Sequence, residues 1–143
     1  MGNFMGYWRS VILCGGFSVL AITLGCSNGT YPVHGSIVYP DGSPAKELSG
    51  GAVELDSLDQ PISARGSIDD QGKFVISTFE ADDGAVPGKH RVLIVSRQAT
   101  GDEPVGKVID SKYQRFETSG LELEVTPGTN TPTFTVERAK SGR

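Results

Sequence analysis

Few side chains in this sequence are of a type that does chemistry. There are two cysteines, Cys14 and Cys26, and two histidines, His34 and His90. A thiolate metal centre or a thiol nucleophile needs cysteine inside a folded domain, beside ligands or a base. Both cysteines fall in the first 26 residues, ahead of any strand-like pattern. Each histidine stands alone in a strand-like run, which suits a structural or surface role better than ligation. The serines lie in turns or alternating runs, with none at a strand-to-helix elbow. Leu48-Ser49-Gly50-Gly51 is too short for a phosphate loop and precedes a strand-like run. Carboxylates cluster at Asp69-Asp70 and at Glu80, Asp82 and Asp83, and hard oxygen ligands of this kind suit calcium. Against the D-x-D-x-D-G loop, however, Ser67, Asp69, Gln71 and Gly72 supply a single carboxylate. Asp and Gly at such spacing make tight turns instead. The residues give no catalytic centre, cofactor site or metal site.

The residues before the first alternating run differ from the rest. Arg9 is the only charged side chain before Asp41, and Val11–Leu24 is a 14-residue, predominantly apolar run ending at Gly25-Cys26. A helix of those fourteen residues would be about 21 Å long, short of the roughly 30 Å hydrocarbon core. A basic start, a short apolar run and a small residue before the cut are the pattern of an export signal, expected over residues 1–25. Thr23-Leu24-Gly25-Cys26 resembles the bacterial lipobox, departing from it at Thr23 and in the bulk of Leu24. The resemblance implies a diacylglycerol thioether on Cys26, which becomes the first residue of the mature protein. The alternative is ordinary signal cleavage near Ala21 or Gly25, leaving Cys26 as a spare thiol. With Cys14 removed, Cys26 has no partner for an internal disulfide, and the polar residues behind it make 26–30 a tether. Two or three acyl chains, at about 0.8 kcal/mol per buried methylene, would hold it durably to a membrane. The expected location is therefore the bacterial cell envelope, on its periplasmic or surface side.

Removing residues 1–25 takes away Arg9 and no acid, leaving 12 basic against 17 acidic side chains, a net charge of −5. A nucleic-acid partner would need a basic face, and electrostatic docking on anionic lipid would need basic clusters. Neither is expected.

From residue 31 the chain breaks into short runs rich in β-branched and aromatic residues, separated by Gly, Pro, Asp and Ser. That pattern predicts an antiparallel sandwich or barrel. Strands are expected at Val33–Tyr39, Ala52–Asp56, Ile62–Ile68 (polar enough for an edge), Lys73–Thr78 and Lys89–Val95, and around Leu121–Thr126 and Thr133–Glu137. Lys89–Val95 has apolar residues at both parities and should be covered on both faces. Gly66–Val95 as a whole is expected to form the centre of the sandwich. Gln98–Gly106 reads as a polar loop, and Lys107–Glu117 fits either an edge strand or a helical turn. The basic tail from Arg138, residues 139–143 above all, is expected to fray.

Several of these motifs resemble transthyretin-like, or carboxypeptidase regulatory-like, domains. Val33-His34-Gly35-Ser36-Ile37-Val38-Tyr39 followed by Asp41-Gly42-Ser43-Pro44 is similar to their opening V-x-G-x-V and D-G-x-P, with Ile37 in place of valine. Asp69-Asp70-Gln71-Gly72-Lys73-Phe74 is similar to their D-x-x-G-x-F hairpin. Pro87-Gly88-Lys89-His90-Arg91-Val92 is similar to P-G-x-Y-x-V, with His90 where an aromatic is usual. Ser119-Gly120-Leu121, Val125, Pro127-Gly128 and Asn130 resemble the end of short bacterial lipoproteins carrying this domain. The resemblance covers most of residues 31–138 and implies a seven-stranded Greek-key, prealbumin-like β-sandwich that is non-catalytic, exported and tethered. Its enzymatic relatives fit poorly. The hydroxyisourate hydrolases use a terminal Tyr-Arg-Gly-Ser, which Arg138-Ala139-Lys140-Ser141-Gly142-Arg143 does not supply. The intradiol dioxygenases pair two tyrosines with a His-x-His, a spacing that His34 and His90 lack. A structural or interaction module binding an envelope protein or glycan is the expected function. A carbohydrate- or calcium-binding accessory domain is the alternative, although Trp8, the only tryptophan, falls in the signal and leaves Tyr and Phe as stacking platforms.

Overall fold

Alternation of side chains along an extended chain puts every second residue on one face. In this protein the apolar parity of each run points inward. The computed structural model describes residues 29–97 and 108–140. Over them run β1 (His34–Val38), β2 (Ala52–Ser57), β3 (Ser63–Ser67), β4 (Lys73–Val75), β5 (Gly88–Val95), the single helical turn α1 (Phe116–Ser119), β6 (Leu121–Val125) and β7 (Thr133–Thr135). Two 3-10 turns, Lys46–Leu48 and Ser111–Gln114, complete the elements. The strands form a three-stranded sheet of order β4-β1-β7 and a four-stranded sheet of order β3-β2-β5-β6. An all-β, two-sheet architecture is what the strand pattern predicts.

The core lies between the sheets. Val53 and Leu55 of β2, Val92 and Ile94 of β5 and Val125 of β6 face Ile37 of β1, Phe74 of β4 and Phe134 of β7, all buried. Phe74 and Phe134 stack with ring centroids 5.8 Å apart and planes 5° off parallel. The strand between them makes room with Gly35, where a Cβ would run into the Phe74 ring. β3 lies at an edge of its sheet, as its polarity predicts, and β5 is paired on both sides, with β2 and β6.

Three expectations are corrected. The sandwich is not wholly antiparallel, because β1 and β7 pair in parallel, Ser36 with Thr133 through Val38 with Thr135. No turn joins those two strands, so sheet packing and not a local hairpin sets their direction. The stretch Gly66–Val95 is not a continuous centre. β4 is a three-residue edge strand, and it lies in the other sheet from β5. The chain leaves β1 after Ile76, and Ser77 bridges back to Arg65 of β3. The tail does not fray at its start. The Arg138 guanidinium lies 3.5 Å from the centroid of the Tyr39 ring, and the Ala139 N–H donates to the Val108 carbonyl at 3.1 Å.

The ambiguous Lys107–Glu117 stretch takes the helical-turn form where it is described, with a single isolated bridge in place of an edge strand. Ile109 bridges Arg138, and the 3-10 turn and α1 follow. Among the described residues no helix is long and apolar enough to cross a membrane. The expected signal 1–25, the expected anchor at Cys26, residues 27–28, residues 98–107 and residues 141–143 lie outside the described residues.

Candidate functional site

The best sequence candidate, Cys26, stands three positions before the first described residue, Gly29. From there the chain is committed to the fold almost at once. Thr30 is buried, and Tyr31 exchanges two backbone hydrogen bonds with Ala85, at 2.8 and 3.1 Å. Val33 then enters the core, fully buried. The first strand is thus clamped by the Thr78–Ala85 connection, which carries one of the two carboxylate clusters.

That cluster is occupied with backbone. The Asp83 carboxylate accepts N–H groups from Thr78 at 2.7 Å, Phe79 at 3.0 Å and Glu80 at 3.1 Å. Partial burial opposes its ionisation, but these three donors together hold its pKa below the usual carboxylate range. The Asp69 carboxylate clasps the turn between β3 and β4, accepting from the N–H groups of Gln71 and Lys73, each at 2.8 Å. Gly72 closes that turn at φ +74°, a conformation that suits glycine. Among the described residues no three His, Cys, Asp or Glu side chains converge. Both acidic groups act as clasps for tight turns.

The histidines are far apart in environment. His34 is exposed at the start of β1, in the three-stranded sheet. His90 is 1 % exposed on β5, between Ser57 of β2 and Leu123 of β6, with Nδ1 3.1 Å from the Gly88 carbonyl. Burial lowers its pKa, partly offset by that carbonyl and by Asp59 and Asp56. The imidazole fills the core position where the resembled motif has an aromatic. The fold therefore does not bring the two histidines together into one site.

A shallow groove of about 640 Å³ runs along the seam where edge strand β3 meets edge strand β4, lined by His34, Arg65, Ser67, Lys73, Ser77 and Asp82. Its Arg65 guanidinium bonds Glu54 at 2.8 Å. Gly66 keeps the seam closed, since a Cβ there would meet the Val75 carbonyl.

Three features escaped the sequence reading. Arg91 of β5 pairs with Asp56 of β2 and lies 5.6 Å from the Phe116 ring centroid, so α1 is pinned to the outer face of the four-stranded sheet. Tyr39 donates to Glu47 at 3.0 Å beneath Arg138, and burial together with that carboxylate pushes its pKa up to about 12. Leu58 and Phe79 are the large hydrophobic side chains left exposed among the described residues, at 52 % and 54 %. The first two depend on long-range register. The third was readable as large apolar residues set among turn residues (Leu58-Asp59-Gln60-Pro61) and acids (Phe79-Glu80-Ala81-Asp82).

No known protein family, curated protein or solved structure matches this chain.

Proposed function

We propose that this chain is an exported, non-catalytic lipoprotein of a bacterial envelope: signal 1–25, acylated Cys26, tether 26–30, and a seven-stranded, transthyretin-like Greek-key sandwich that binds an envelope protein or glycan or plays a structural part. The observation that carries the reading is the distance from anchor to fold. Only Ser27 and Asn28 separate Cys26 from the described domain, and Tyr31 is already clamped to Ala85. The chain thus presents a thiol just outside a self-contained core, where an acyl anchor would leave the fold undisturbed. The positions of the candidate polar residues favour a non-catalytic role: the acids are engaged by turn N–H groups, and the two histidines sit in different sheets.

Intact mass of the protein purified from membranes tests this. The expected mass is that of residues 26–143 plus a diacylglyceryl group and an amide-linked acyl chain, with Cys26→Ser shifting the protein to the soluble fraction. Identical fractionation of both, with no added mass, would refute the anchor. A glycan-binding role is the second reading, favoured by the β3–β4 groove and its mixed lining of His34, Arg65, Lys73 and Asp82. A glycan array without hits, or hits unchanged by Lys73→Ala, would remove it.

A further inference from the structure

The strand pairings place the termini at one end of the sandwich relative to the tether. β1 starts there, and β6 ends there at Val125, opposite Gly88. The polar Thr126–Asn130 turn that leads to β7 follows, bonded to Pro32. The pairing of His34 with Val75 brings the end of β4 to that end, and the bridge from Arg65 to Ser77 brings the start of β3. The pairing of Asp56 with Ser63 adds the end of β2, and that of Ser57 with His90 adds the start of β5. Phe79 belongs to the Thr78–Ala85 connection that is hydrogen-bonded to Tyr31. Leu58 follows β2 and donates its N–H to the Lys89 carbonyl at 2.9 Å, four residues beyond Ala85. The two large exposed hydrophobic side chains therefore flank the point where the tether joins the fold. The opposite end carries the Asp41–Ser43 and Asp69–Gly72 turns, with polar side chains.

We propose that this end is a membrane-contact surface, with Phe79 and Leu58 dipping into the lipid interface beside the anchor. This rests on acylation of Cys26 as proposed above. Fully extended, the four residue-to-residue steps from Cys26 to Thr30 reach at most about 14 Å. An anchor in the bilayer thus holds this end against the headgroups and leaves the opposite end pointing away. Single apolar side chains dispersed over a surface need no explanation; two, both at the tethered end, are placed where lipid is the available apolar phase. Asp59, Glu80, Asp82 and Asp83 are their neighbours in sequence, against Lys89 and the Arg65 that shares a groove with Asp82. Acids thus outnumber bases at this end, and the contact suits zwitterionic better than anionic lipid.

The test attaches the protein to vesicles chemically. Residues 26–143 contain the whole core, and Cys26 is their one thiol, so it can be coupled to a maleimide-headgroup lipid in phosphatidylcholine vesicles with brominated acyl chains. With Trp8 absent, a single introduced tryptophan reports its own depth. A ring seated about 5–10 Å into the interface should lose about half its emission. That loss is expected for Phe79→Trp and Leu58→Trp, and not for Gln71→Trp in the far turn. Adding anionic phosphatidylglycerol should reduce it. Quenching at 79 and 58 no greater than at 71 would overturn the lipid contact and leave the two side chains to a protein partner. Because coupling supplies the anchor, this outcome is independent of whether the cell acylates Cys26, which the intact mass decides.

Discussion

The two sheets share one core but differ on their outer faces. The three-stranded sheet presents Ser36, Val38, Lys73, Val75, Thr133 and Thr135 outward; Lys73 and the two threonines are exposed, Ser36, Val38 and Val75 are half-buried, and the Ser36 and Thr133 hydroxyls meet at 3.2 Å. On the four-stranded sheet, Glu54, Asp56, Arg65 and Arg91 form two cross-strand ion pairs, and Leu93 beside them is 8 % exposed. The turn Ser111–Gln114 and α1 both pack on β5. Ser119 fastens them by donating its hydroxyl to the Val92 carbonyl, and Gln114 reaches Ser96 at 3.4 Å. The difference is written in the strands. β5 is apolar at both parities because both its faces are covered, whereas β1 and β7 put apolar residues mainly on the core side. Outward polarity in a strand thus reports whether a further layer lies over it.

The largest test of that contrast is a pair of truncations at outward positions. Leu93→Ala, beneath the extra layer, should destabilise by about 2–5 kcal/mol, as for a buried leucine. Val38→Ala, half-buried on the outer face of the three-stranded sheet, should cost less, about 1 kcal/mol. Chemical denaturation of both variants measures the gap. Equal losses would mean that the layer over β5 adds no buried environment.

Reading the sequence located the seven described strands to within a few residues, and for a physical reason. Each is bounded by turn residues that act locally, such as Asp41 accepting from Ser43 N–H at 2.9 Å and Asn130 bonding the Thr126 and Gly128 carbonyls. Local chemistry of that kind is legible in a few consecutive residues. The assignment of β4 to the opposite sheet from β5 was not legible, because the Thr78–Pro87 connection carries no mark of which sheet it leads to. The parallel β1–β7 pair was equally hidden, since those strands meet only through packing. Of the candidate site, the sequence offers Cys26 and the turn role of the acids. It does not show that Leu58 and Phe79 flank the same end, because that juxtaposition depends on strand order.

A second, smaller test uses the inner face of the covered sheet. His90 is buried between Ser57 and Leu123, and its pKa is lowered from the ordinary 6.5 mainly by desolvation. The folded state therefore binds this proton less readily than the unfolded chain. Its contribution is fully present above about pH 6.5 and is lost as pH falls from there towards the lowered folded value, below which it levels off. Urea midpoints between pH 8 and 5 should show that decline in the wild type. His90→Phe, which keeps a ring at that position without a titrating group, should flatten it. A decline that survives His90→Phe would assign the acid sensitivity elsewhere.

The smallest effects separate the two ion pairs. Arg65–Glu54 links an edge strand to its neighbour with the Arg65 side chain 64 % exposed, so solvent screens it and Glu54→Gln should change stability by less than about 1 kcal/mol. Arg91–Asp56 has the same cross-strand geometry, but its guanidinium also lies under Phe116, and its Nε is buried without a hydrogen-bond partner. Asp56→Asn leaves that cation less compensated and should loosen α1, which the exchange of the Ser119 and Leu121 amides would report. Salt should distinguish the pairs as well, weakening the exposed one more than the covered one. If both variants behave alike and α1 exchange is unchanged, the extra layer is held by Leu93 and Ser119 alone, and the charges beneath it serve only to keep the face soluble.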